Sequence, residues 1–305
     1  AEVLAISGDL MSAHRIKDPA ALTQQAKDLR THLAAGRTAE ALKSGNSLRV
    51  TLLDAPSETL AGKGRYLLLV DGVLAVISPQ LFPESQEGLR YLADIRTIIL
   101  AASSGQALLP QGAGPERYNP EFLGISAVDP QDVKAPDGSL ISPEVVQISH
   151  RFDKDTRMVL QGDAVQIALF DQNAGASRFV HLVPDSVGEK GSLVFGEQRL
   201  GLAQVRALDL SAVSVVLSTT MEPDLASRWV QAFRACGVRS VVLRSWEVDT
   251  ATRSKFFFSA YEGFIQHGDP IRSFQQTRKS LMDDQALLGD EGPRWWGPYL
   301  TFGQP

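Results

Sequence analysis

Cysteine is almost missing from this chain: there is one, Cys236, in 305 residues. A single thiol excludes an intramolecular disulfide and a zinc site built on several cysteinates. It suits a reducing or an oxidising compartment equally. Long hydrophobic runs are missing too. The longest, YLLLV at 66–70 and TIILAA at 97–102, fall far short of the ~20 apolar residues that a membrane-spanning helix needs. Charge of one sign is not in excess either. Thirty Lys and Arg stand against 35 Asp and Glu, a formal net charge of −5, and the basic residues are scattered, so no basic field points to nucleic acid. No phosphate-binding loop or dinucleotide fingerprint follows a strand: Gly112-Ala113-Gly114 sits in a Gly- and Pro-rich stretch without the strand–helix context. His150 and His267 have no partners at ligand spacing, and the carboxylates form no cluster. Neither a metal nor a cofactor is expected.

What is present is ordinary globular material. Hydrophobic residues at 44% and charged residues at 21% argue against disorder. The start at Ala1-Glu2 fits a processed precursor or an excised segment, which leaves cytoplasmic and exported locations both open. Short apolar, β-branched runs alternate with amphipathic stretches. Strands are expected at YLLLV (66–70), VLAVIS (73–78), TIILA (97–101), FLGISAV (122–128), MVLQG (158–162), FVHLV (179–183), SVVLS (214–218), RSVVLRSW (239–246) and YLTFG (299–303), with a hairpin-like SLVFGEQRLG at 192–201. Helices are expected at 19–44 behind Asp18 or Pro19, at 46–61, 87–95, 143–153, 163–173, from Leu202, and at 224–237, 250–268 and 269–284. Strands alternating with helices predict an α/β protein with a largely parallel sheet. The pattern occurs twice, dividing the chain into subdomains 1–142 and 143–305.

The C-terminal half carries a set of landmarks in order: SVVLSTT, WVQAFRACGVRSVVLRSWEVDTAT, FFFSAYEGF and WWGPYLTFG. Together these resemble the CHAT family of caspase-like proteins, clan CD cysteine-peptidase relatives often linked to tetratricopeptide repeats. The family's patterns run roughly VHLATHG, VVLSACETG, RAFLAAGARSVVASLWPVDDAAT and a closing WAxFxLxG. The stretch SLRVTLLDAPSETLAGKGRYLLLVDGVLAVISPQLFP resembles the family's N-terminal half, so the similarity covers about residues 20–305. It implies a caspase-like three-layer α/β/α fold with a mostly parallel sheet, in two related halves.

The family's peptidase dyad is the second histidine of HLATHG and the cysteine of LSACETG, the first acting as base and the second as thiolate nucleophile. Carried over by position, His181 matches the first histidine, Asp185 takes the place of the catalytic one, and Thr220 takes the place of the cysteine. Pro223 stands where the family has glycine and offers no backbone N–H to an oxyanion. A thiol with a pKa of about 8.5 becomes a usable thiolate beside an imidazole, whereas a threonine hydroxyl needs a far stronger base than a carboxylate. The resemblance therefore implies the framework without its machinery. It points to an inactive pseudoprotease that binds a protein or peptide partner as a regulatory or scaffold module, the partner being for instance a repeat-containing protein or an active peptidase.

A second reading stays open beside it, a hydrolase with rearranged chemistry. Residues four apart on a strand project to one face, so Asp185 would orient His181, the alternative base, for Thr220. The plainer reading has His181 buried and bonded within the fold, Asp185 capping a loop, and Thr220 structural. The SWEVD segment matches the part of the family that walls a substrate groove, which nominates Trp246 and Asp249, and Glu222 adds to an acidic tip beside Thr220. Asp224 is expected to cap the helix that follows. Cys236, in the AFRACG helix end, is expected to be a small packed residue.

Overall fold

The large sheet is built from short runs that are apolar on both faces, as strands covered on both sides must be. The computed structural model describes residues 2–7, 10–54, 65–69, 82–83, 97–101, 118–127, 144–210, 212–283, 294 and 297–303. The strands are β1 (Glu2–Ser7), β2 (Leu10–Arg15), β3 (Arg65–Leu69), β4 (Thr97–Ala101), β5 (Phe122–Ser126), β6 (Arg157–Gln161), β7 (Phe179–Val183), β8 (Ser186–Val187), β9 (Leu193–Phe195), β10 (Gln198–Leu200), β11 (Ser214–Leu217), β12 (Ser240–Arg244) and β13 (Tyr299–Gly303). Helices are α1 (Pro19–Ala34), α2 (Thr38–Arg49), α3 (Glu144–Ser149), α4 (Ile167–Asn173), α5 (Leu202–Arg206), α6 (Pro223–Ala235), α7 (Thr250–His267) and α8 (Pro270–Asp283).

Eight strands form one sheet in the order β3-β4-β13-β12-β11-β7-β5-β6. The five from β12 to β6 run parallel to one another, and β13 meets β12 antiparallel, so β13, β4 and β3 run the other way. This makes a mixed α/β fold with a mostly parallel sheet. The sheet crosses residue 142: β5, which precedes it, lies between β6 and β7, which follow it. Right-handed crossovers fix where the helices go. The β5-α3-β6 step runs toward one edge, while the connections through α4, α5 and α6 run the opposite way, so α3 covers one face and α4–α6 the other. Helices α7 and α8 join α3: Tyr261 of α7 meets Phe122 and Phe179 edge-on, and Phe256 stacks on Tyr299. The register places Phe122, Gly124, Phe179, His181, Val216, Val242 and Thr301 on this face, with Leu123, Val180, Leu182, Val215 and Val241 on the other.

Most expected elements coincide with observed ones to within a few residues, and three points differ. The helix expected over 19–44 is two helices, because Gly36 at φ 69° turns the chain into the left-handed region after α1, and α2 runs on past 46, where a second helix was expected to begin, whose positions 55–61 lie outside the described residues. Asp18 does cap α1, accepting from the Ala21 amide at 2.9 Å. The first residues form an antiparallel β1–β2 hairpin that the sequence pattern did not suggest. Helix α6 begins at Pro223, with Glu222 at the cap position, so Asp224 lies inside the first turn rather than capping it. Proline at the first helical position, where an N–H would be unsatisfied anyway, sets that start. The expected strand at 73–78 and helix at 87–95 lie outside the described residues.

Gly124 shows how closely α3 approaches the sheet. A Cβ there would collide with Val145 Cγ1 and lie 2.8 Å from the Phe122 ring, so no side chain fits unless these neighbours shift. Gly124→Ala is expected to destabilise the protein by about 1–3 kcal/mol, the usual cost of overpacking. Urea denaturation reads this as a lower midpoint at unchanged slope.

Candidate functional site

The polar ends of β7, β11 and β12 lie side by side, since Leu182 is in register with Leu217 and Leu217 with Leu243. In open α/β sheets the crevice beyond the carboxyl ends of parallel strands is where ligands bind. Each residue nominated above is found at or next to this end, and each is engaged differently.

His181 is fully buried. Its Nε2 lies 2.6 Å from Glu144 Oε1 and its Nδ1 3.1 Å from the Tyr261 hydroxyl. Glu144 itself is buried, and its second oxygen accepts from Arg253 Nε. Burial alone would raise the Glu144 pKa. The Arg253 charge and the hydrogen bond and charge of His181 outweigh it, and hold this carboxyl at about 2. Burial and the neighbouring Glu144 push the Tyr261 hydroxyl well above its ordinary value. An ionised carboxylate only accepts, so Nε2–H donates to Glu144, while Nδ1 and the Tyr261 hydroxyl share the second bond. Helix periodicity makes the cage. Arg253, Phe257 and Tyr261 recur at four-residue spacing along α7, and the Phe257 ring stands edge-on to the imidazole at 5.0 Å. Asp249 starts this helix, accepting from the Thr252 amide at 2.9 Å and the Thr252 hydroxyl at 2.7 Å. It is a helix cap.

Asp185 faces solvent and the small sheet β8–β9–β10. Its Oδ2 accepts from the Gly196 amide at 2.8 Å and its own amide donates to the Val194 carbonyl at 2.9 Å. Thr220 donates its hydroxyl to Glu247 Oε1 at 2.8 Å. The structure therefore does not bring Asp185, His181 and Thr220 together, because the hydrogen bonds of each are spent on other partners. Trp246 is buried, its indole N–H donating to the Arg294 carbonyl at 3.0 Å. Glu222 is exposed at the start of α6 and makes no side-chain capping bond. Cys236 is buried at the end of α6, where burial raises its thiol pKa and the Val205 carbonyl accepts from it at 3.0 Å.

The residues that complete the site were not singled out from the sequence. Arg244, at the end of β12, places Nη2 at 2.9 and 2.8 Å from the two oxygens of Glu247. Burial lowers the Arg244 pKa and the Arg253 charge lowers it further, against the opposing pull of Glu247 and Glu144. Arg30 of α1 donates to the Ser245 carbonyl at 2.9 Å, so the first long helix reaches the same loop. Nothing in the spacing of Glu144, Arg244 or Arg253 marks them, because their partners lie 37 to 109 residues away or across a turn. Among the described residues, no group of three His, Cys, Asp or Glu side chains is placed to hold a metal ion, and no helix is long and apolar enough to cross a membrane.

The fold has counterparts among solved structures. No curated protein sequence matches the chain. Among solved structures, separase in the Saccharomyces cerevisiae separase–securin complex at 2.6 Å resolution superposes with a TM-score of 0.52 at 12% identity, over 78% of this chain and 16% of that one. The same complex at 3.0 Å resolution gives a TM-score of 0.52 at 11% identity, over 78% of this chain and 15% of that one. Such identity carries the fold alone, and this chain spans about a sixth of the length of the chain it matches. The profile of the CHAT domain matches residues 42–304, a span that holds every strand of the large sheet. The chain belongs to the CHAT domain family.

Proposed function

We propose that this chain is a non-catalytic CHAT module, a pseudoprotease that binds a protein or peptide partner in the crevice at the ends of β7, β11 and β12 and serves as a regulator or scaffold. One observation carries the reading: the hydroxyl at the nucleophile position, Thr220, donates to the Glu247 carboxylate, while the buried imidazole of His181 has both nitrogens engaged by Glu144 and Tyr261. A nucleophile needs a base within hydrogen-bond reach that is strong enough to take its proton. A carboxylate is many orders of magnitude too weak a base for an alcohol, and an imidazole with no exposed atom has no path to a substrate. That separase, a relative in fold, was solved in complex with securin is in keeping with a protein partner. Trp246, Asp249 and Glu222 are the proposed walls and rim of the binding crevice.

Turnover of a mixed-specificity peptide library tests this directly. Wild type, Thr220→Ala and Cys236→Ala are expected to show the same absence of cleavage above background. Cleavage that is present in wild type and lost only in Thr220→Ala would overturn the reading.

The buried histidine network is then structural, and its effect appears in stability. The folded-state pKa of Glu144, about 2, lies below its ordinary 4.5. Its contribution is therefore fully present above pH 4.5 and lost as the pH falls toward 2, amounting to about 3 kcal/mol at 1.36 kcal/mol per pKa unit. Glu144→Gln is expected to cost about 3–5 kcal/mol at pH 7, because it strands the Arg253 charge, and to remove this part of the acid sensitivity. Urea titrations of both proteins between pH 7 and 3 measure the two effects.

A further inference from the structure

Arg244 ends β12 with a side chain that is 4% exposed. Its Nε and Nη1 are buried and have no hydrogen-bond partner among the described residues. A guanidinium carries five N–H donors in a rigid fork, and here only the Nη2 end is used. Glu247 uses it, with both carboxylate oxygens converging on the one nitrogen at 2.9 and 2.8 Å. This is an end-on contact rather than the parallel two-nitrogen pairing that arginine and carboxylate favour. The Glu247 side chain is 66% exposed, so the counter-ion of a buried cation is a solvent-facing side chain held by a single nitrogen. Among the described residues, the other acid acting on Arg244 is Glu144, which is committed to His181 and Arg253. Thr220 donates to the same Glu247 oxygen at 2.8 Å.

A fixed buried cation with unused donors, beside a hydroxyl, at the strand ends of an α/β sheet, is the chemistry of a carboxylate receptor. A cationic side chain would be repelled there by Arg244 and Arg253. An apolar one would leave the guanidinium without an acceptor in a poorly solvated place, which is costly. Resting on the reading that this crevice binds a peptide or protein, we infer that Arg244 and Thr220 recognise an Asp or Glu side chain of the partner, and that Glu247 is the chain's own occupant of that place. The partner's carboxylate displaces Glu247, which swings into solvent. The contact is thus a built-in competitor, and removing it raises the fraction of chain ready to bind.

The probes are two capped tetrapeptides, acetyl-Ala-Ala-Asp-Ala-amide and its Asn counterpart, titrated by calorimetry or NMR into the full chain as wild type and as Glu247→Ala. The Asp peptide is expected to bind Glu247→Ala at least tenfold more tightly than wild type, with the Asn peptide unchanged. Arg244→Gln in the Glu247→Ala background is expected to erase the gain. Because that double variant is at risk of unfolding, the Asp/Asn ratio on Glu247→Ala alone, whose fold is verified by thermal unfolding, is the decisive reading. Equal affinity of the Asp peptide for wild type and Glu247→Ala overturns the inference. So does a gain shared equally by both peptides, which would mean an opened groove without a carboxylate site. Either failure, with the Thr220-dependent cleavage assay silent, leaves the non-catalytic reading standing. Cleavage lost in Thr220→Ala would instead overturn the reading on which the inference rests.

Discussion

The buried carboxylate of Glu144 is the constraint around which this end of the sheet is organised. An isolated carboxylate in such a place would be protonated, because burial penalises its charged form. It stays ionised because α3 delivers it between Arg253 of α7 and His181 of β7. Three elements from different parts of the chain are therefore fixed to one another through two oxygen atoms. The aromatic layer around them, with Phe122, Phe152, Phe179, Tyr261 and Phe264 in mutual ring contact, excludes water and sharpens that dependence. In such surroundings a satisfied polar network specifies one arrangement, and a half-satisfied one is worse than none.

A second polar chain faces outward from the same strand ends. It runs from Arg244 through Glu247 to Thr220 and is linked to the first by charge, since Arg253 acts on the Arg244 guanidinium. The two chains differ in exposure. The inner one is buried, while the outer one ends in a carboxylate that solvent reaches. The α1 helix, which precedes the family match at residue 42, touches this outer region through Arg30 and the Ser245 carbonyl. A change in how α1 sits would be felt one peptide unit from Arg244.

The fold was legible wherever local chemistry decides it. FVHLV, SVVLS and YLTFG stand out because strands covered on both faces must be apolar throughout, and they became β7, β11 and β13. The break at Gly36 was missed because the helical spacing continues on both sides of a glycine, and only its left-handed backbone reveals the stop. The antiparallel arrival of β13 depends on how α7 and α8 carry the chain back, which no strand sequence encodes. Positions 185 and 220 were legible as polar strand ends. What those residues do instead was not. Glu144 reads as an ordinary acidic residue in a first helical turn, and only the arrival of Arg253 109 residues later turns it into a buried anchor.

The polar groups at these strand ends order the site through contacts within the chain. A peptidase must keep its nucleophile and base under-satisfied and exposed, an arrangement that costs stability. Here the Thr220 hydroxyl has an acceptor, Asp185 clamps a neighbouring turn through Gly196, and His181 is enclosed. Each of these three groups closes a contact within the chain. The Arg244 fork does so only in part, and keeps unused donors behind an exposed glutamate. Selection for stability alone favours replacing such a guanidinium, since an apolar side chain of similar volume commonly does as well or better in a buried ion pair. A cation left partly unsatisfied beside an exposed counter-ion is what recognition of an incoming carboxylate requires.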